Sequence, residues 1–193
     1  LVWGTELFFA ERHAQAARVI QEGLDRSIVT EKNAYVYYFL AGALELAGQT
    51  DQALEAARQA ARIRPTSPQY RSREPWILYH AARYSDAYAK YGELLRDFDD
   101  DHTIRGGRTA LRDARFILSN VCVMRKDLDE AEEWLEQILD EFPGDTGALN
   151  DLGFLYADRG KRLERSLETV TKAVEVEPEN EAYLDSLGWV LFR

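Results

Sequence analysis

The chain has 193 residues, enough for one ordinary domain or a small array of repeats. Hydrophobic residues make up 46% and charged residues 30%, proportions that exclude a disordered chain. The net charge is −10 and no segment is rich in Lys and Arg, which disfavours a nucleic-acid-binding surface because such surfaces need clustered basic side chains.

The sequence predicts neither a membrane-spanning helix nor a targeting segment. Its longest uncharged apolar run, residues 34–44, is shorter than the ~18 residues that a membrane helix needs. The first residues lack the basic start and the small-residue cleavage site of a signal peptide. The single cysteine, Cys122, excludes an internal disulfide and fits either the cytoplasm or the periplasm, so the compartment stays open.

In chain order, the first predicted elements are two pairs of helices. Residues 1–33 predict a degenerate pair, and residues 34–67 predict a complete pair of amphipathic helices, because apolar residues recur there at three- and four-residue steps. Gly48 is expected to end the first helix of the complete pair in a left-handed conformation. Pro65 is expected to stop its second helix, since proline cannot extend a helix.

The middle of the chain predicts a less regular pair and an insert. Residues 68–101 form the next unit, in which Pro75 should delay or kink the first helix. Residues 102–111 read as an insert, with a loop near 99–107. The first helix after that loop is expected to be lengthened and to run to about Arg125.

The last predicted elements are two complete pairs, 112–145 and 146–180, and a partial unit at 181–193. Gly160 is expected to end the first helix of the last complete pair in a left-handed conformation, as Gly48 does. Acidic residues lie in the first turn of the second helices. Each of these second helices is followed by a proline. The last helix ends in apolar residues that no second helix covers, so we expect the natural protein to continue beyond residue 193.

Short apolar phrases recur across these units. Leu152-Gly153 is matched by Leu187-Gly188 one unit later, and small residues such as Ala53 and Ser166 stand where two helices should cross. Over residues 34–193 this pattern resembles the tetratricopeptide repeat family, as found widely in bacterial proteins. The resemblance implies an all-α fold: a right-handed α-solenoid of antiparallel helix pairs, with residues 1–193 in one array.

The resemblance also implies a concave binding face lined by the first helix of each unit. Aromatic side chains interspersed with Asn suit a peptide groove, because they offer a large apolar area and amides for an extended backbone. An alternative for each aromatic residue is a place in the core between repeats. The residues expected on the concave face are Tyr35, Tyr38, Glu45, Trp76, Tyr79, Phe116, Asn120, Asn150, Phe154, Asp158, Asp185 and Trp189.

The sequence shows no catalytic or metal-binding constellation. His13, His80 and His102 are far apart, and the acidic run 97–102 lacks the glycine and terminal glutamate of a calcium loop. Cys122 is expected to be a small core residue. We therefore expect no enzyme activity, no cofactor and no metal.

The predicted function is a non-enzymatic protein-interaction scaffold. Some family members hold a partner's terminal carboxylate in a clamp of Lys, Asn and Arg side chains, and only Asn120 matches that motif here. We therefore expect a neutral-to-basic protein or peptide with apolar anchors. Two alternatives remain: a recruiting or regulatory arm of a larger enzyme, and a module that assembles with itself through its apolar C-terminal half repeat.

Overall fold

The computed structural model describes residues 2–28, 30, 32–100 and 107–193, and every regular element within them is an α-helix. The chain divides into two compact units, residues 1–114 and 115–193. The predicted all-α class and its helix pairs are confirmed. The single array over 1–193 stays a prediction.

The first unit contains seven complete helices within its described residues and the start of an eighth. They are α1 (Val2–Phe9), α2 (His13–Asp25), α3 (Ala34–Leu46), α4 (Thr50–Ile63), α5 (Pro68–Arg71), α6 (Arg73–His80), α7 (Tyr84–Phe98) and the beginning of α8 (Arg108–Arg125). Consecutive helices pack against each other, and α3 lies at the centre with most of its residues buried. Ala41 of α3 and Ala53 and Ala57 of α4 have no exposed surface, so the two backbones approach closely.

Pro75 explains why the first helix of the second pair is broken. Helix α5 ends at Arg71, four residues before Pro75, and α6 begins after Ser72. Proline has no N–H to bond the carbonyl four residues back, and its ring clashes with that carbonyl. The predicted kink is therefore confirmed, and it falls one turn before the proline.

Helix α8 is the longest in the described part of the chain and begins at Arg108. Residues 108–111, predicted as the end of the insert 102–111, are therefore helical. Residues 101–106, with His102, lie outside the described residues. The predicted end of this helix at Arg125 is confirmed.

The second unit continues α8 and adds α9 (Leu128–Glu141), α10 (Thr146–Asp158), α11 (Leu163–Val176) and α12 (Glu181–Phe192). Helices α10 and α11 cross at Gly153, whose carbonyl oxygen accepts a hydrogen bond from the Ser166 hydroxyl at 2.6 Å. Ser119 of α8 makes the same kind of bond to the Ala131 carbonyl of α9 at 3.1 Å. Small residues thus stand at both crossings, as the sequence predicts.

The turn after each first helix has one geometry. Gly48 and Gly160 have φ of +77° and +62°, which confirms their left-handed conformation. Ala82 and Lys126 adopt the same region with φ of 57° and 62° at the ends of α6 and α8. In each case the N–H of this residue bonds the carbonyl three residues back, and the next N–H bonds the carbonyl five residues back.

The second helices end two residues before their prolines. Helix α4 ends at Ile63, α9 at Glu141 and α11 at Val176. The stops predicted at Pro65, Pro143 and Pro178 are therefore confirmed.

Candidate functional site

An open groove of about 630 Å³ lies between α10 and α12 of the second unit. We call it the α10/α12 groove. It brings together three residues expected on the binding face, Phe154, Asp185 and Trp189. Sequence reasoning missed the other lining residues. The complete lining is Phe154, Leu184, Asp185, Gly188, Trp189 and Phe192.

The walls of the α10/α12 groove are apolar and accessible. The Phe154 side chain is 38% exposed and that of Phe192 is 78% exposed. Trp189 stacks on Phe192 with ring centroids 5.7 Å apart and an angle of 29° between the ring planes. A Cβ built on Gly188 would meet no atom within 4 Å, so that part of the groove is open. The surface therefore offers flat aromatic area to a ligand.

The α10/α12 groove has a carboxylate on its lining and a guanidinium beside it. Asp185 is exposed on the lining, while the indole Nε1 of Trp189 is buried without an acceptor. Arg193 lies over the Trp189 ring at 5.5 Å and donates a hydrogen bond to the backbone carbonyl of Asp158 at 3.0 Å. The end of α12 is thereby joined to the end of α10 beside the groove.

Two of the predicted residues on α10 do not line this groove. Asn150 is only 8% exposed, and its side-chain amide donates to Asp151 at 3.0 Å. Burial raises the pKa of Asp151, although the bond from Asn150 opposes that change. Asp158 is exposed but is absent from the groove lining. The expectation of an accessible Asn150 is wrong, because it faces the packed interior.

On α8, Phe116 is half-buried and Asn120 is exposed. A Cβ on Gly147 would lie 3.1 Å from Cζ of Phe116, so this ring packs against the start of α10. Phe116 therefore fits the alternative of a core position between repeats.

The predicted aromatic residues of the first unit belong to two groups of ring contacts, one around Phe39 and one around His80. Tyr35 lies 4.6 Å from Phe39 between ring centroids, and Tyr38 lies 5.8 Å from Tyr70. Tyr79 is half-buried and meets Tyr84 at 5.6 Å. Only Tyr35 among the predicted aromatic residues of this unit is exposed, so these rings contribute mainly to packing.

Arg73 is the residue of the first unit that sequence reasoning did not place in the site. Its guanidinium lies 3.6 Å from the Tyr38 ring centroid and 4.8 Å from that of Trp76. Glu45, expected to be accessible, is only 9% exposed, so that expectation is wrong. A Cβ on Gly42 would stand 3.2 Å from the Phe8 ring and 3.3 Å from the guanidinium Nη1 of Arg73, so both side chains lie against the α3 backbone there.

Within the described residues, no group of three or more His, Cys, Asp and Glu side chains is placed to hold a metal ion. The end of the acidic run 97–102 falls outside those residues. No helix among residues 2–28, 32–100 and 107–193 is long and apolar enough to cross a membrane. Cys122 is buried, as predicted, and burial raises the pKa of its thiol to about 12.

Comparisons with known proteins agree on the repeat. Residues 1–68 and 76–146 match the family model described as "Tetratricopeptide repeat". The TPR repeat-containing protein PA4667 of Pseudomonas aeruginosa is 29% identical over 151 residues, which are 76% of this chain and 23% of that protein. This chain thus spans about a quarter of the length of that relative.

Two solved structures show the same fold. TTC0263, a thermophilic TPR protein of Thermus thermophilus, has a TM-score of 0.69 at 18% identity, over 100% of this chain and 97% of that one. YrrB, described as a TPR protein with an unusual peptide-binding site, has a TM-score of 0.60 at 18% identity, over 96% of this chain and 89% of that one.

Proposed function

The chain belongs to the tetratricopeptide repeat family, and we propose that it binds a peptide segment of a partner protein in the α10/α12 groove. The fold supports a protein-interaction scaffold. The finer proposal depends on one observation: Phe154, Asp185 and Trp189, which lie on two helices, line one accessible apolar groove.

The occupant that fits is an extended segment with an aliphatic or aromatic anchor beside a Lys or Arg. The anchor would cover the exposed faces of Phe154 and Trp189, and burial of aromatic area is the main source of affinity at such sites. The basic side chain would face Asp185, whereas an acidic one would meet like charge.

This binding needs no chemistry from the scaffold. The helices hold the groove residues in place before the ligand arrives, so only the ligand loses conformational freedom. We propose that the chain acts without catalysis. YrrB lends support by analogy, because it is described as a TPR protein with a peptide-binding site.

A peptide screen tests the proposal. The probes are N-acetylated, C-amidated octapeptides with one Leu or Phe anchor next to Lys, Ala or Glu, followed by Trp fluorescence or calorimetry. We expect the Lys series to bind most tightly. Phe154→Ala and Trp189→Ala should each weaken binding by roughly tenfold or more, the effect of losing an aromatic anchor.

The matched control is Trp3→Ala. Trp3 is a 65% exposed tryptophan of the first unit and should leave affinity unchanged. Equal binding of the Lys and Glu series, or variants that keep wild-type affinity, would overturn the proposal. Light scattering of the free chain tests for self-association. If the free chain is a dimer that Phe192→Asp dissociates, the groove is an interface between two copies of the chain and not a peptide site.

A further inference from the structure

An open groove in the first unit lies between the second helices α2 and α4. Both helices pack against α3, which supplies Leu40 and Leu44 to the floor. Two cavities of about 370 and 390 Å³ share Leu44, Gln21 of α2 and Gln52 of α4, so they form one surface. We call it the α2/α4 groove. It lies on the side of the second helices and not on the face of first helices that the family resemblance implies for binding.

In the second unit, ion pairs close the equivalent gap between α9 and α11. Arg165 of α11 pairs with Glu136 of α9 at 3.1 Å, and Tyr156 of α10 donates a hydrogen bond to the same carboxylate at 2.6 Å. We call these three residues the α9/α11 bridge. Arg159, at the end of α10, also pairs with Glu132 of α9. The protein's own side chains thus fill the space between those two helices.

Gln52 stands in α4 where Arg165 stands in α11. Each lies directly before the small residue at its helix crossing, which is Ala53 in the first unit and Ser166 in the second. Glutamine is shorter than arginine and has no charge with which to pair. The first unit therefore lacks the cation of the bridge.

The other two positions of the bridge are also changed in the first unit. By the same count from the helix crossings, Leu44 takes the place of Tyr156 and Gln21 takes the place of Glu136. Within the described residues, no hydrogen bond or ion pair joins α2 to α4, so the gap between them stays open. The counts are three residues from Ala41 and Gly153, and five from Ala16 and Ala131.

Glutamine amides line both sides of the open gap. Four of the seven glutamines of the chain lie here, Gln21 on α2 and Gln49, Gln52 and Gln59 on the side of α4. The amides of Gln49 and Gln52 make no hydrogen bond within the described part of the chain. Each amide has N–H donors and an acceptor oxygen, so it can pair with a peptide group. An extended chain leaves its peptide groups free for such bonds, whereas a helix bonds them internally, so these walls favour an extended segment.

The floor of the α2/α4 groove selects for an aliphatic side chain. Leu40 and Leu44 are buried beneath it, and Ala56 on α4 leaves room above them. Burial of an aliphatic group against this apolar floor would stabilise the complex. Among the described lining residues only Tyr37 is aromatic, so the groove lacks the wall of rings on which a proline-rich segment docks.

The charges around the α2/α4 groove compensate one another. Glu55 and Glu22 of the lining each pair with an arginine outside it, at 2.6 and 4.0 Å. The other charged lining residues are Arg18 and Asp25, one of each sign. A net charge on the ligand would therefore gain little, in contrast to the α10/α12 groove with its Asp185.

We propose that the α2/α4 groove binds an extended peptide segment without net charge, which carries an aliphatic side chain. Gln21 and Gln52 would bond its backbone from the two sides, and the aliphatic group would lie over Leu40 and Leu44. The ligand would occupy the space that the α9/α11 bridge fills in the second unit.

Side-chain NMR of the whole chain tests the proposal. The probe is the N-acetylated, C-amidated heptapeptide Ser-Thr-Leu-Thr-Leu-Thr-Ser, whose two leucines lie on one side when it is extended. We expect saturable shifts of the Gln21 and Gln52 side-chain amide resonances, with the same affinity at about 0.05 and 0.5 M salt. Replacing the central Thr by Lys or Glu should leave the affinity nearly unchanged, because the charges of the groove are compensated.

A double variant rebuilds the bridge of the second unit in the first. Gln21→Glu with Gln52→Arg should close the groove and weaken heptapeptide binding by roughly tenfold or more, because the site of the aliphatic group is lost. The matched control is Gln15→Glu with Gln69→Arg, which makes the same two substitutions at exposed positions outside the lining. This control should keep the wild-type affinity.

Three results with the wild-type chain would overturn the proposal, even if the double variant fails to fold. They are the absence of a saturable shift at Gln21 and Gln52, tighter binding of a helical octapeptide with the same two leucines four residues apart, and shifts of these resonances with protein concentration alone. The last result would make the groove an interface between copies of the chain. Unchanged affinity in a folded double variant would also overturn it. Peptide binding in the α10/α12 groove is followed separately by its own variants, so either proposal can fail alone.

Discussion

The helix crossing at Gly153 makes a quantitative prediction. A Cβ at this position would collide with Cγ2 of Val170 and would lie 2.6 Å from the Thr169 hydroxyl and 3.0 Å from the Ser166 carbonyl oxygen. Overpacking of this kind costs about 1–3 kcal/mol. Alanine regains about 0.5–1 kcal/mol over glycine inside a helix. Gly153→Ala should therefore lower the free energy of unfolding by up to about 2.5 kcal/mol.

Gly188→Ala is the matched control, because Gly188 follows a leucine at the equivalent place in α12. A Cβ there meets nothing within 4 Å, so only the helical preference for alanine remains. This variant should gain about 0.5–1 kcal/mol.

Urea unfolding followed by circular dichroism measures the free energy of unfolding of both variants. Relative to the wild type, their thermal midpoints should move in opposite directions by a few °C, at about 2–4 °C per kcal/mol. If Gly153→Ala is as stable as Gly188→Ala, the crossing is not the tight contact described here.

Three smaller predictions concern turns, hydrogen bonds and acid. Ala82→Gly should stabilise the chain by about 0.5–1 kcal/mol in thermal unfolding, because glycine adopts φ of 57° without strain; a loss would contradict the turn geometry. Ser166→Ala should cost about 0.5–1.5 kcal/mol in urea unfolding, since it removes the bond to Gly153, and an unchanged midpoint would show that the bond contributes nothing to stability. Burial raises the pKa of Glu136, but hydrogen bonds from Tyr156 at 2.6 Å and Arg162 at 2.8 Å outweigh it and lower the pKa. The ionised Glu136 should stabilise the fold above pH 4.5, the ordinary pKa, and this effect should be lost as the pH falls through the lower pKa of the folded state. The difference in free energy of unfolding between the wild type and Glu136→Gln should therefore become smaller in acid.

Local signals made the helix pairs predictable. Pro65, Pro143 and Pro178 act within a few residues of themselves, and Gly48 and Gly160 need only the helix before them. Their effects depend on backbone geometry that short stretches of sequence already determine. The break before Pro75 follows from the same reasoning.

The depth of the polar residues was harder to predict. Glu45 and Asn150 occur at the spacing of the binding face, yet both are buried. The spacing shows which face of a helix a residue lies on, but it does not show whether another element covers that face. Arg73 sits in a polar stretch of sequence, and its burial arises from Tyr38 and Gly42 on another helix. No pattern around Arg73 itself reports those contacts.

The shared turn at the ends of α3, α6, α8 and α10 has a consequence for how this repeat changes over evolutionary time. The same main-chain hydrogen bonds form the turn at Gly48, Ala82, Lys126 and Gly160. The side chain therefore changes the free energy of the turn but not its geometry. A glycine can therefore be replaced at a cost of about 0.5–1 kcal/mol while the next helix keeps its direction. We therefore expect a sequence motif that requires glycine at this position to miss repeats in divergent relatives, because the turn can form with another residue there.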